Sequence, residues 1–104
     1  MTFEHVLAAR AQRYFDRLTR SRQRRVEAKL QKICLDPYDL RESLALAGRA
    51  DGLRRARVGD LRILFYVKEE VHIVDVTEIG PRGDVYKGLS VHLRRRRVVV
   101  QSPA

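Results

Sequence analysis

The hydrophobic period of this chain changes once, near Leu53, and that change does most to restrict the fold. Upstream, Ala11, Tyr14, Phe15 and Leu18 recur at the i, i+3, i+4, i+7 spacing of one helix face. Val26, Leu30, Ile33 and Cys34 form the inner face of a second helix that runs to about Leu35. Thr19-Arg20-Ser21 separates the two, with Ser21 the expected N-cap. Asp36-Pro37 ends the second helix, because proline disfavours helical geometry in the residue before it. Joined by so short a connection, the two helices are expected to form an αα-hairpin. Downstream the period is two. Leu53 to Val58 reads as a strand and Gly59-Asp60 as a hairpin turn. In the next strand Leu61, Ile63, Phe65 and Val67 alternate with Arg62, Leu64 and Tyr66. Lys68-Glu69-Glu70 is a second turn, and Val71 to Ile79 a third strand that Gly80-Pro81-Arg82-Gly83 breaks.

A short strand over residues 2–7 precedes the helices, and Asp84-Val85-Tyr86 offers a last extended piece. Residues 36–52 read as a polar connection with one apolar island, Leu44-Ala45-Leu46. The order predicts an α+β domain: an N-terminal strand, two helices, then an antiparallel β-meander with the helices on one face. That domain is expected over residues 1–90, followed by a basic tail over 91–104 that carries Arg94-Arg95-Arg96-Arg97.

Charge narrows the function. Lys and Arg total 22 against 13 Asp and Glu, a formal net charge of +9. Lysine occurs only at 29, 32, 68 and 87, so the excess is mostly arginine. A guanidinium grips phosphate through two parallel hydrogen bonds and stacks on bases, so a polyanionic partner is expected; a solvated basic surface and an acidic protein partner are the competing readings. No stretch approaches the ~20 apolar residues of a membrane span, and the first residues lack the pattern of a signal peptide. A single cysteine, Cys34, excludes an internal disulfide framework and fits a reducing cytoplasm. No His/Cys group has metal-ligand spacing, and no cofactor is expected.

The segment Leu53-Arg54-Arg55-Ala56-Arg57-Val58-Gly59-Asp60-Leu61-Arg62-Ile63-Leu64-Phe65-Tyr66 is a basic strand, a glycine turn and an arginine leading an apolar strand. Some way downstream stands Arg82-Gly83-Asp84-Val85-Tyr86. Together with the two helices, these resemble the RelE/ParE superfamily, toxins of type II toxin–antitoxin systems, over about residues 2–88. The resemblance implies a cognate antitoxin encoded alongside and one of two activities. RelE-like members cleave mRNA in the ribosomal A site without metal or cofactor. ParE-like members inhibit DNA gyrase and cleave nothing. A third reading is a degenerate member that only binds antitoxin or RNA.

On the cleaving reading, Arg62, Arg82 and Tyr86 are the candidate catalytic residues, with the two arginines stabilising phosphorane charge. Tyr86 would stack on a base or move a proton; otherwise it is an aromatic anchor for the C-terminus. Arg54, Arg55, Arg57, Arg94, Arg95, Arg96 and Arg97 are candidate RNA-binding residues. Arg55, Arg57 and Arg62 would form a phosphate clamp, or a solvated face paired with Asp60, Glu69 or Glu70. The family's RelE-like form often carries a second basic residue where this chain has Gly80. Of the histidines, His92 lies nearest in sequence to the closing element, and His5 and His72 are weaker candidates. Cys34 reads as helix core.

Overall fold

The computed structural model describes residues 2–81. Its elements run β1 (Glu4–Leu7), α1 (Ala9–Asp16), α2 (Arg20–Leu35), β2 (Leu44–Ala45), β3 (Arg54–Val58), β4 (Leu61–Lys68), a 3-10 turn (Glu69–Val71) and β5 (Ile73–Pro81). The strands make one five-stranded sheet in the order β1-β5-β4-β3-β2. The helices cover one face of it, so the α+β expectation holds. The β2 to β5 pairings are antiparallel, whereas β1 joins the far edge parallel to β5, with Glu4 opposite Ile73 and Leu7 opposite Val76.

Amphipathic spacing explains the main core. Ala11, Val26, Leu30, Ile33 and Cys34 from the helices meet Ala56, Leu61, Ile63, Phe65, Val74, Val76 and Ile79 from the sheet. Each side chain of Val or Leu size, fully buried there, contributes ~1.5–3 kcal/mol relative to exposure. A smaller cluster of Leu53, Leu64 and Tyr66, flanked by Leu46, lies on the opposite face. β4 is therefore apolar on both sides, which is why its sequence shows so little polar alternation.

Three local expectations are corrected. The cap of α2 is Thr19, not Ser21: Thr19 is extended and its hydroxyl accepts from the Arg22 amide at 3.3 Å. Serine at 21 is already inside the helix. The last strand is not broken at Gly80; β5 continues through Gly80 opposite Arg62 and Pro81 opposite Leu61. β1 pairs with β5 only as far as Val76, so among the described residues Pro81 lies on an edge stretch of the strand, where proline is tolerated. Val71 belongs to the 3-10 turn rather than to the strand, and His72 takes a left-handed conformation (φ 54°) that reverses the chain into β5.

Between Leu64 and Phe65 the β4–β5 register shifts: Leu64 faces Glu78, while Phe65 faces Val76. Thr77 is the extra residue of a β-bulge, and its hydroxyl donates to the Leu64 carbonyl at 3.4 Å. The bulge exchanges the faces of β5. Val74 and Val76 point to the helices before it, and Ile79 does so after it.

The cap assignment has a direct check. Thr19→Ala should cost about 1 kcal/mol, which is roughly 4–8 °C in Tm for a domain of this size. Ser21→Ala should leave Tm nearly unchanged. Thermal denaturation of both variants followed by circular dichroism decides between the two caps; equal shifts would refute the Thr19 cap.

Candidate functional site

The sheet face turned away from the helices gathers the chemistry. In the β3–β4 hairpin Arg57 stands directly opposite Arg62, and Arg55 opposite Leu64. Residues paired across antiparallel strands share a face, with Cβ atoms about 4.5–5.5 Å apart. Two guanidiniums held this close repel one another, so the pair is more stable with an anion between them than without. Arg57 is exposed and Arg62 half-buried. One Nη of Arg62 donates to the Leu61 carbonyl at 3.2 Å, while its buried Nε has no hydrogen-bond partner among the described residues. On its other side Arg62 faces Gly80, which has no side chain to cover it.

The hairpin is held in place by α2. Arg22 forms an ion pair with Asp60 in the turn, which holds the Asp60 carboxyl below the ordinary carboxylate range. Arg25 lies over Gly59, whose φ is +59°; a Cβ there would stand 2.8 Å from the Arg25 guanidinium. Glycine therefore meets two demands at once, the left-handed turn and the close approach of Arg25. Asp60 thus belongs to Arg22 and not to the hairpin arginines.

Arg54 stands apart from the other arginines of the hairpin. It faces the helices' side of β3 with only 8% of its surface exposed. Its Nε donates to Ser43 Oγ at 2.9 Å and an Nη to the Ser43 carbonyl at 3.1 Å, and its guanidinium sits 5.5 Å from the Tyr38 ring centroid. A buried cation is tolerable when its donors are satisfied in this way. Arg54 fastens the 36–45 connection to the sheet.

Two groups on the helix-free face escaped the sequence reading. The first is Glu78. The bulge places it opposite Leu64, diagonal to Arg62, and only 6% of its surface is exposed. Burial pushes its carboxyl pKa above the ordinary glutamate value, and Arg10, whose Nε lies 3.3 Å away, partly offsets this. The second is a cluster at the strand entry. Tyr66 Oη donates to Asp51 at 2.8 Å, Arg49 donates to Asp51 through Nε at 3.0 Å, and Arg49 Nη2 donates to Tyr66 Oη at 3.2 Å. Arg49, and after it the Tyr66 hydroxyl and the Leu53 amide, hold the Asp51 carboxyl far below the usual range. The cluster pins residues 49–53 against the sheet beside the arginines.

The described histidines lie elsewhere. His72 stacks on Phe3 with ring centroids 4.9 Å apart. His5 Nδ1 is 4.0 Å from Cys34 Sγ. Burial, followed by the charge of Glu4, raises the Cys34 pKa, which marks an inert core thiol. Arg82, Tyr86, His92 and Arg94 to Arg97 lie outside the described residues, as does the expected boundary between domain and tail. The register shows only where the chain enters that region: Pro81 is the last described residue, next to Leu61 at the start of β4. No helix among the described residues is long and apolar enough to cross a membrane.

Comparison with known proteins agrees with this architecture. No curated protein sequence matches the chain. Among solved structures, a chain of the archaeal RelE–RelB complex from Pyrococcus horikoshii is 25% identical, with a TM-score of 0.67 over 80% of this chain and 98% of that one. A doubly substituted E. coli RelE in the free state is 20% identical, with a TM-score of 0.70 over 84% of this chain and 93% of that one. The intact E. coli RelBE toxin–antitoxin complex contains a chain 18% identical, with a TM-score of 0.65 over 76% of this chain and 95% of that one. The family model of the ParE toxin of the type II parDE toxin–antitoxin system matches residues 6–86. The chain belongs to the ParE toxin family of type II toxin–antitoxin systems.

Proposed function

We propose that this toxin is a ribosome-dependent mRNA endonuclease, acting in the cytoplasm and neutralised by a cognate antitoxin. The observation that carries the proposal is the Arg57–Arg62 pair on the helix-free face, with the buried Glu78 carboxylate diagonal to Arg62. Metal-free cleavage needs this combination. The 2′-oxygen attacks the adjacent phosphorus, the bond from phosphorus to the 5′-oxygen breaks, and the products are a 2′,3′-cyclic phosphate and a 5′-hydroxyl. A base takes the 2′-OH proton and an acid supplies one to the 5′-oxygen. Arg57, Arg62 and Arg82 stabilise the phosphorane, and Glu78 in its ionised form takes the proton. Tyr86 stacks on a base or protonates the leaving oxygen. A carboxyl raised by burial suits the task, because a base works best with its pKa near the operating pH.

The second reading is a ParE-like inhibitor of DNA gyrase, favoured by membership of the ParE toxin family. Induced expression separates the two. Cleavage predicts arrested translation with cut mRNA ends inside coding regions. Intact mRNA with a DNA-damage response and blocked supercoiling would move the assignment to gyrase.

Arg62→Ala and Arg82→Ala should each slow single-turnover cleavage of ribosome-bound mRNA by ~10²-fold or more. Tyr86→Phe should be as damaging as alanine if the hydroxyl moves a proton, and nearly silent if the ring stacks. Arg95→Ala should leave the single-turnover rate almost unchanged. Folded Arg62 and Arg82 variants that cleave at the wild-type rate would refute the site.

Glu78→Gln should slow the same step by ~10²–10⁴-fold. In the wild type the rate should climb with pH through a midpoint above the ordinary glutamate value, and this limb should vanish in the Gln variant. Arg10→Ala removes the cation that lowers the Glu78 pKa, so it should move the midpoint still higher. The sign for stability is also fixed. Folding raises the Glu78 pKa, so the wild type loses stability as pH rises from the unfolded glutamate value through the folded one. The Tm of Glu78→Gln relative to wild type should therefore increase with pH over that window. An unchanged rate and pH profile in Glu78→Gln would remove Glu78 from the mechanism.

A further inference from the structure

A second cationic surface lies outside the helix-free face. Between α2 and the tip of the β3–β4 hairpin is an open hollow of about 300 Å³, walled by Arg25, Lys29 and Lys32 on one side and by Arg57 on the other. Ala28, Val58 and Gly59 complete the lining. Its charges are poorly neutralised. The nearby carboxylates are already committed, Asp60 to Arg22 and Glu42 to Lys29 at 2.8 Å. Arg25 shares the charge of Asp60 with Arg22 but makes no ion pair of its own, and Lys32 and Arg57 have no ion pair among the described residues. Three cations drawn from two elements thus surround one solvent-filled space.

Among the described residues the strand edge beside it is open, because β2 pairs only with Arg54 and Arg55 and no strand pairs with the outer edge of β3 from Ala56 onward. Arg57 stands at that edge and also faces Arg62 across the hairpin. It therefore belongs to both surfaces, and a chain leaving the Arg57–Arg62 pair over the open edge meets Lys32 and Arg25 next. A polymer with one negative charge per repeat and a flexible backbone suits such a track, because each cation can take a phosphate without a fixed sequence.

We propose that the hollow between α2 and the β3–β4 hairpin is a docking site for RNA backbone phosphates, separate from the point of cleavage. This rests on the reading of RNA as the toxin's target. Arg57 is shared with the cleavage face, whereas Arg25 and Lys32 anchor RNA and take no part in bond breaking, so these two act on binding and not on the chemical step.

The test uses the whole toxin and the Arg25→Ala/Lys32→Ala double variant, which leaves Arg57 in place. In cleavage of ribosome-bound mRNA, KM for the ribosome complex should rise roughly tenfold while kcat stays as in the wild type. Binding of a fluorescein-labelled RNA stem-loop, measured by anisotropy from low to moderate salt, should lose about 1.4 from the slope of log affinity on log salt, the loss of two phosphate contacts. Poly-glutamate is the second probe. If the double variant binds RNA with the wild-type affinity and slope but loses poly-glutamate, the hollow is an acidic-protein surface and the proposal is wrong. A fall in kcat at saturating toxin, with melting unchanged, would merge the hollow with the cleavage face and equally refute a separate site. A wild-type toxin that neither cuts nor binds RNA would overturn the RNA reading itself, and this site with it. Lys32→Glu, a single exposed change, reports the same binding loss should the double variant fold poorly.

Discussion

Everything at the site depends on β4 being buried on both faces. Its odd-numbered positions, Leu61, Ile63 and Phe65, pack beneath the helices, and Leu64 and Tyr66 pack on the other side. A strand so confined cannot slip in register without turning apolar side chains to water and bringing Arg62 into the core. The interior thus sets the position of Arg62 more firmly than any hydrogen bond of its own. Its neighbours inherit that precision: Arg57 through β3, Gly80 and Glu78 through β5.

α2 supplies the complementary restraint. Through the Arg22–Asp60 ion pair it holds the hairpin turn from outside, while its buried face holds the sheet from within. One helix therefore fixes the orientation of the cationic hairpin and contributes most of a second basic surface. This is economical for a chain of 104 residues, in which few elements are free of core duty.

What the sequence made legible was whatever depends on period. The helices, the hairpin and the apolar faces of β4 follow from spacing alone. What it hid depends on single residues whose environment is tertiary. Thr19 and Ser21 are equally good caps on paper, and only the backbone conformation at 19 separates them. Arg54 sits among other arginines and looks equally solvated, until Ser43 and Tyr38 fold back over it. Glu78 was hidden more deeply. Strict alternation from Val74 and Val76 would send residue 78 into the core, an unlikely place for a carboxylate, so the pattern offered no role for it. The bulge at Thr77 changes that parity. A carboxylate at the wrong phase of an otherwise apolar strand was the one available signal.

The parallel pairing of β1 with β5 has a consequence in time. The chain's first strand has its partner in the last described one, so Glu4 must wait for Ile73, and Leu7 for Val76, before the sheet can close. Contacts this distant in sequence form late, after the loop-closure entropy has been met. During synthesis the helices and the β3–β4 hairpin exist first, without β5 to complete the face that carries Glu78. Closure of the sheet is thereby deferred until nearly the whole described region has left the ribosome.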